Sequence, residues 1–525
     1  MRFTFNNCVT VAASLLGLGQ VQAQSQSTRQ IAIVGAGAAG SSAAYFLQQF
    51  ATQAGVHVNI TLFEKTDRIG GRTRTINPFN DPAQRVEQGA SIFVQANQIM
   101  FNAMTEFGLS QHVPDADADP KIAIWDGDCF VFTIDESAPT WWNTLKVILK
   151  YGLTAPQRAQ ELTAATITNF MRIYSGPFFP FQSLTQVAQD LGLSAATGVT
   201  GEQFLSANNI GVHYSHDIIQ ASTRVNYASN LANLHGLDTM VSLGANGATS
   251  VQGGNWQIFY EMAQRSGALI ALNTSVVGIQ KTTSDSQYTV QTTSSSTPGS
   301  PATYPGTFDN VVIANPYQFS GISARNGVLD SAIEQVPYVQ LHVTHFTSAS
   351  RLSPGFFDLP SGATVPGMVL TTLAQSDTAT SGADGVGKAG FFSVNILGKA
   401  TNPQTQQKEY VYKIFSPQAI TPQFLSSLLG ATVPATFTGG SSPITWHNPH
   451  VFQAYPKTSP RTTFQGPIVG SGVYYTSGME SFISTMETNA LMGKNVARLI
   501  VDNMTAWESV KARDGEPWEK QRVLN

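Results

Sequence analysis

The stretch that most constrains this chain is Ile31-Ala32-Ile33-Val34-Gly35-Ala36-Gly37-Ala38-Ala39-Gly40. Its apolar, β-branched start is the pattern of a strand buried on both faces. Gly-x-Gly-x-x-Gly follows, and Ser41 to Phe50 then carries apolar residues at helical spacing. Strand, glycine turn and helix in that order predict a dinucleotide-binding unit. Gly35 permits the tight turn, Gly37 lets backbone N–H groups reach a pyrophosphate, and Gly40 lets helix and strand pack closely. Ala36, Ala38 and Ala39 belong to the same turn and are assigned to the cofactor with it. Val56 to Phe63 reads as the second strand. Glu64 at its end suits a ribose hydroxyl and disfavours a 2′-phosphate; Lys65 is assigned to the same contact.

The next segment, Asp67-Arg68-Ile69-Gly70-Gly71-Arg72, offers further backbone donors and a guanidinium fork beside a diphosphate. It resembles the second motif of the FAD-containing amine oxidases and related flavoproteins. Glu87-Gln88-Gly89-Ala90-Ser91 resembles the stretch that runs beneath the flavin in that group. Gly70, Gly71, Arg72, Gly89, Ala90 and Ser91 are therefore assigned to FAD. The resemblance implies an α/β fold, a Rossmann-type FAD-binding domain interleaved with an α+β substrate domain. The expected FAD-binding pieces are 30–95, 240–318 and 460–503, with 96–239 and 319–459 on the substrate side.

A chain of 525 residues is too long for one simple core. Its net charge of −4 gives no basic footprint, which argues against nucleic acid as a partner. Arg2, the apolar run Val9 to Leu18 and Val21-Gln22-Ala23 form a signal-peptide pattern, so residues 1–23 are expected to be removed. No other stretch has the length and apolarity of a membrane span. Loss of Cys8 with the leader would leave Cys129 alone, read as a buried thiol with a flavin-linking thiol as the alternative. Asn59, Asn273 and Asn503 head glycosylation sequons, and Asn59 is discounted as part of a buried strand. The expected destination is the secretory pathway, extracellular or vacuolar/lysosomal.

Further along, Ile122 to Phe132 reads as a hairpin turning at Asp126-Gly127. Trp141 to Tyr174 reads as mostly helical. Around it Trp141, Trp142, Phe170, Tyr174, Phe178, Phe179 and Phe181 are dense enough to supply core and also to line a greasy substrate cavity. Asp115-Ala116-Asp117-Ala118-Asp119 lacks the glycine and late glutamate of a calcium loop and reads as a solvated acidic loop. Val276-Val277 is where a related flavoprotein places strand backbone against adenine, and Val277 is assigned to it. Ile313 to Pro316 should end a strand near the nucleotide. A last helix is expected from about Met479 to Ile500, its N-terminus facing the flavin, with a charged tail over 504–525.

Several later stretches, in order, resemble the prenylcysteine oxidases, also called prenylcysteine lyases. They are Ile124-Trp125-Asp126-Gly127, Arg224-Val225-Asn226-Tyr227, Val251-Gln252-Gly253-Gly254-Asn255, Met368 to Thr372, Val411 to Ser416, Ala454-Tyr455-Pro456, and Tyr474-Tyr475 with Gly478-Met479-Glu480. The chain departs from the wider flavoprotein pattern at Gly470-Ser471-Gly472, where no Asp follows the glycine. The resemblance implies an FAD thioether oxidase that converts farnesyl- or geranylgeranyl-cysteine to cysteine, a prenyl aldehyde and hydrogen peroxide. Molecular oxygen is the acceptor and a hydrophobic small molecule the substrate. The carbon attacked is allylic and bonded to sulfur, so hydride loss leaves a stabilised cation that water can trap. Such chemistry needs orientation rather than a side-chain nucleophile.

The candidates for help are accordingly modest. Glu480 at the start of the last helix could position water, the substrate amine or the cofactor, or simply match the helix end. Arg224 could pair with a substrate carboxylate or form a structural ion pair. His235 could carry a proton or sit in the core. His213/His216, His342/His345 and His447/His450 are too few in ligands for zinc, and no metal is expected. Alternatives to the thioether reading are an FAD oxidase of an amine or lipophilic biosynthetic intermediate, and a non-catalytic secreted flavoprotein.

Overall fold

The computed structural model describes residues 28–514 except 114–118, 245–246, 284–286, 295–296, 326 and 381. The leader with Cys8, the first acidic positions Asp115 and Asp117, and the last eleven residues lie outside that set. β1 (Arg29–Val34) is followed by α1 (Ala38–Ala54) and β2 (Val58–Phe63). β1 is central in a six-stranded sheet. Its parallel neighbours are β2 and the strand Asn310–Ile313, and an antiparallel strand, Ile468–Gly470, closes one edge. Alternation explains the unbroken apolar run of β1. Ile31 and Ile33 join the core under the helices, while Ala32 and Val34 join a second core with Val276, Val290 and Phe308.

α1 lies against the closing helix Met486–Asp514 through small residues. A Cβ on Gly493 would stand 2.2 Å from the Ala39 carbonyl oxygen, and Ser42 Oγ donates to Ala490 O at 2.6 Å. That closing helix starts later than expected. Ser477–Ser481, which holds Glu480, is a separate 3-10 turn ahead of it. The helix also continues beyond residue 504, through part of the expected tail.

The second layer is a seven-stranded sheet. Its first three strands in order are Ile444–Pro456, Tyr338–Ser348 and Lys408–Ser416. The hairpin Lys121–Trp125 and Phe130–Asp135 forms its far edge, turning where Asp126-Gly127 indicated. Cys129 is exposed, contrary to the buried-thiol expectation, because it lies in the connection 126–129 outside both strands. Asn59 is exposed as well, at the start of β2, so burial gives no ground to discount it. Asp119 pairs with Arg351.

A buried carboxylate ties other segments of the first layer to the closing helix. Glu487 in the closing helix accepts hydrogen bonds at 2.9 Å from the N–H groups of Ile99 and Met100, capping the helix Gln98–Glu106, and one from Tyr174 Oη at 2.8 Å. Burial outweighs these donors and pushes its pKa up to about 7. The native state therefore holds a proton here that the unfolded chain releases near pH 4.5, so this group's contribution to stability grows as pH falls from about 7 towards 4.5. Glu487→Gln, neutral at every pH, is expected to lose that dependence. The wild-type minus variant difference in thermal midpoint should increase between pH 8 and pH 5; a constant difference would refute the assignment.

Candidate active site

One cavity of about 570 Å³ runs from the glycine turn to the seven-stranded sheet. The nucleotide end is built by backbone. Gly35 adopts φ +105°, closed to residues with a Cβ, and a Cβ on Gly71 would stand 3.1 Å from Gly37 Cα. The first turn of α1 has no side-chain cap and no acidic residue, and Gly37, Ala38 and Ala39 border the cavity. Its free N–H groups are thus available to an anion. Glu64 accepts from Ala36 N at 2.9 Å and from Thr66 N and Oγ1, which holds the carboxylate at the cavity wall. Lys65, Arg68, Gly70, Gly71, Arg72, Gly89 and Ala90 complete this end. A dinucleotide with a diphosphate and an unsubstituted ribose fits this donor set.

Four expected positions lie elsewhere. Gly40 and Ala36 are packed behind the turn: a Cβ on Gly40 would fall 1.8 Å from Gly35 O. Ser91 does not line the cavity; its hydroxyl accepts from Lys413 Nζ at 2.9 Å and supports the stretch from below. Val276, not Val277, lines the wall beside Thr274 and Ser275, because the pairing of Thr274–Lys281 with Tyr288–Ser294 slips at Val277. Ala314, Asn315 and Pro316 do border the cavity.

The other end is an apolar floor. Leu341, Val343, Phe415 and Phe452 share one face of the seven-stranded sheet, with Leu341 opposite Phe452 and Val343 between Phe415 and His450. The aromatic band expected to supply this lining does not. Phe170 and Phe181 are in the core of the first layer, with Tyr174, Phe178 and Phe179 packed against it, and Trp142 is exposed. Farther along the same face the floor turns polar. Lys413 Nζ donates to Glu87 O at 3.1 Å, Gln88 Nε2 donates to Asn448 Oδ1 at 2.8 Å, and Asn255 N donates to Glu87 Oε1 at 2.6 Å. Burial pushes Glu87 up and Lys413 down. Sequence reasoning missed this support. The signal was a lysine inside the apolar alternation Tyr410 to Phe415, which has to be buried and needs acceptors.

Arg72 and Glu480 hold the two ends together. Arg72 Nη2 meets Glu480 Oε2 at 2.7 Å, Arg72 Nη1 donates to Ala454 O at 2.7 Å, and Tyr338 Oη donates to Glu480 Oε2 at 3.2 Å. Glu480 is 1% exposed and borders the cavity. Arg224 and His235 do not border it. Arg224 is fully buried and donates to neutral oxygens, Thr371 Oγ1, Asn230 Oδ1, Gly385 O and Val386 O, so it is neither a carboxylate reader nor half of an ion pair. His235 caps the helix Gly236–Leu243, accepting from Asp238 N at 3.2 Å, and burial pushes its pKa down to about 4. Of the paired histidines, His216 contacts Asp217, His345 lies under Glu87 O, His447 stacks on Phe437 and His450 borders the cavity. Among the described residues no three His, Cys, Asp or Glu side chains gather as metal ligands.

Comparison with known proteins matches two stretches of the chain. Residues 33–107 match the model of an NAD(P)-binding Rossmann-like domain, and residues 134–513 match that of prenylcysteine lyase. A farnesylcysteine lyase of Arabidopsis thaliana is 27% identical over 515 residues, 94% of this chain and 92% of its own. Human prenylcysteine oxidase 1 is 25% identical, covering 93% and 91%. Among solved structures, cyclohexylamine oxidase from Brevibacterium oxydans IH-35A superposes with a TM-score of 0.53 at 16% identity, over 91% of this chain and all of that one. A fatty acid isomerase from P. acnes gives 0.55 at 14%, over 90% and 99%. These last two speak to the fold alone. With the family model spanning most of its length, this chain belongs to the prenylcysteine lyase family.

Proposed function

We propose that the protein is an FAD-dependent oxidase that cleaves the thioether of a prenylcysteine. One oxygen and one water are consumed, and cysteine, a prenyl aldehyde and hydrogen peroxide are formed. The observation that carries this reading is the joining, in one cavity, of a diphosphate-ready glycine turn and an apolar floor. FAD, when bound, supplies a two-electron hydride acceptor that oxygen regenerates. Gly37, Ala38 and Ala39 would hold its diphosphate, Glu64 its ribose, and Gly70, Gly71, Gly89 and Ala90 would give its body close backbone contact. The chain's remaining task is orientation. Leu341, Val343, Phe415 and Phe452 fix an isoprenoid by apolar contact and keep bulk water off the reacting carbon. The Arg72–Glu480 pair fixes the floor relative to the nucleotide turn through Ala454 O.

The decisive experiment is spectroscopic. Purified protein should be yellow, and farnesylcysteine added without oxygen should bleach the flavin band, with peroxide released on re-aeration. A bound flavin that farnesylcysteine never reduces would refute the substrate. Phe452→Ala removes an aromatic ring from the floor. It should raise KM for farnesylcysteine about tenfold, the equivalent of burying one large apolar side chain less well, while flavin content stays at one per chain. We also place the protein in the secretory pathway. The leader pattern and the exposed Asn59 and Asn273 sequons support this. An endoglycosidase shift in electrophoretic mobility is expected, and protein from its native host without one would count against it.

A further inference from the structure

The cavity wall carries four cations, Lys65, Arg68, Arg72 and Arg74, and they differ in what holds them. Arg72 is matched by Glu480. Among the described residues, Lys65, Arg68 and Arg74 also border the cavity, and none of them has a carboxylate within ion-pair distance. Arg68 donates to Gly71 O at 2.8 Å, which places it at the glycine turn. Glu64 is the second carboxylate on this wall, so a diphosphate's two charges balance the total, and position rather than charge count singles out one of the three cations.

Arg74 stands apart. Its backbone carbonyl receives Gln88 N at 2.8 Å and Gly89 N at 3.2 Å, so the residue sits where the flavin-supporting stretch meets the floor. Its Nε is buried and has no acceptor. A guanidinium with an unused buried donor, facing a cavity, is prepared for an anion that arrives with a ligand. Its neighbour across the cavity is His450, whose ring lies 4.3 Å from that of Phe452 at the end of the apolar floor. Burial, with Arg74 and Arg68 nearby, depresses the His450 pKa, which favours the neutral imidazole, able to donate one hydrogen bond without adding charge.

We propose that Arg74, with His450 beside it, receives the α-carboxylate of the cysteinyl head, while the prenyl chain extends along Phe452, Val343, Leu341 and Phe415. This rests on the thioether reading above and adds to it the group that separates free prenylcysteine from other prenyl thioethers. A prenylcysteine followed by another residue carries an amide where this carboxylate stands, and an ester is likewise uncharged there, so the same site selects against both. The reaction that supplies this substrate must therefore be a peptide or ester hydrolysis that uncovers the carboxylate.

The test compares S-farnesylcysteine with S-farnesylcysteamine, which lacks only the carboxylate, using the flavin-loaded full chain and peroxide release. Wild type should prefer the acid about tenfold or more in kcat/KM, the worth of one charge-assisted hydrogen-bond pair. In Arg74→Gln the preference should shrink to about twofold through KM, turnover of the cysteamine thioether should fall far less, and flavin per chain should match wild type. Arg74→Lys should keep part of the preference, since charge is retained and the fork is lost. A wild type without preference overturns the inference and needs no variant. An Arg74→Gln protein that loses both substrates alike, or that purifies without flavin, also overturns it, the latter by giving Arg74 to the cofactor. If wild type oxidises neither thioether, the substrate reading itself falls and takes this inference with it.

Discussion

Gly40→Ala is expected to give a chain that purifies without flavin and unfolds at a much lower temperature. The added Cβ would lie 1.8 Å from Gly35 O, 3.0 Å from Gly35 C and 3.2 Å from Ala314 Cβ. Two of these are backbone atoms that cannot give way. Gly35 N is held by Phe63 O at 2.8 Å, and Ala314 N by Val34 O at 2.9 Å, so β1 is fixed from both sides. The helix must lift instead, and lifting α1 moves Gly37, Ala38 and Ala39 away from the diphosphate position. It also opens the seam with the closing helix, where Gly493 meets Ala39 O. A cost of about 3 kcal/mol is the expectation for overpacking at an unyielding contact. Gly55→Ala is the internal control. That glycine caps the far end of α1 at φ +68° with nothing within 4 Å of an added Cβ, so only backbone strain of about 1 kcal/mol is incurred. The absorbance ratio of flavin to protein and the thermal midpoint read both variants. A yellow Gly40→Ala protein as stable as wild type would contradict the close packing of α1 on β1.

The contrast between these glycines shows what a sequence discloses. β1, the turn, α1 and β2 are local: the chemistry of each position is decided by residues within thirty of it, so spacing alone located them. The same holds for Glu64, whose carboxylate closes back on Ala36 N, and for the turn at Asp126-Gly127. The substrate floor is different. Leu341, Phe415 and Phe452 are brought together by strand register, and no local pattern states which face of which strand will meet the nucleotide layer. The dense aromatic band around Phe170 to Phe181 was the more conspicuous signal, yet it lies in the core of the first layer, where Phe170 meets Phe482 and Tyr174 donates to Glu487 of the closing helix. Arg224 was ambiguous for a related reason. A buried arginine implies acceptors, and here they are neutral oxygens from residues 230 and 371–391, which only the folded chain assembles. Val277 shows the finest failure: one bulge moves the lining position to Val276.

Arg72→Met should be the most damaging single change that leaves the glycine turn intact. It removes the guanidinium from Glu480, a carboxylate 1% exposed, and leaves that charge with the hydroxyls of Tyr338 and Ser484 as its side-chain donors among the described residues. Loss of one partner from a buried pair costs about 3 kcal/mol, and the cavity side of Arg72 puts this case at the lower end. Activity should fall further than stability suggests, by about a hundredfold in kcat/KM, because the bond to Ala454 O is also the tie between the nucleotide layer and the strand Ile444–Pro456. Phe452 stands two residues from that tie in the same strand, and both border the cavity. Releasing it lets the floor shift relative to the reacting atoms, so kcat should fall with KM rather than KM alone rising. Glu480→Gln removes the charge but keeps an acceptor for Arg72 and Tyr338, and should be milder. The double variant decides between causes. If the harm in Arg72→Met is the stranded carboxylate, then Arg72→Met/Glu480→Gln will be more stable than Arg72→Met by about 1 kcal/mol or more, while its activity stays low because the Ala454 tie is still missing. Strictly additive losses in stability would mean that the two side chains do not depend on each other, and the pair would then be an incidental contact rather than the clamp that sets floor against cofactor.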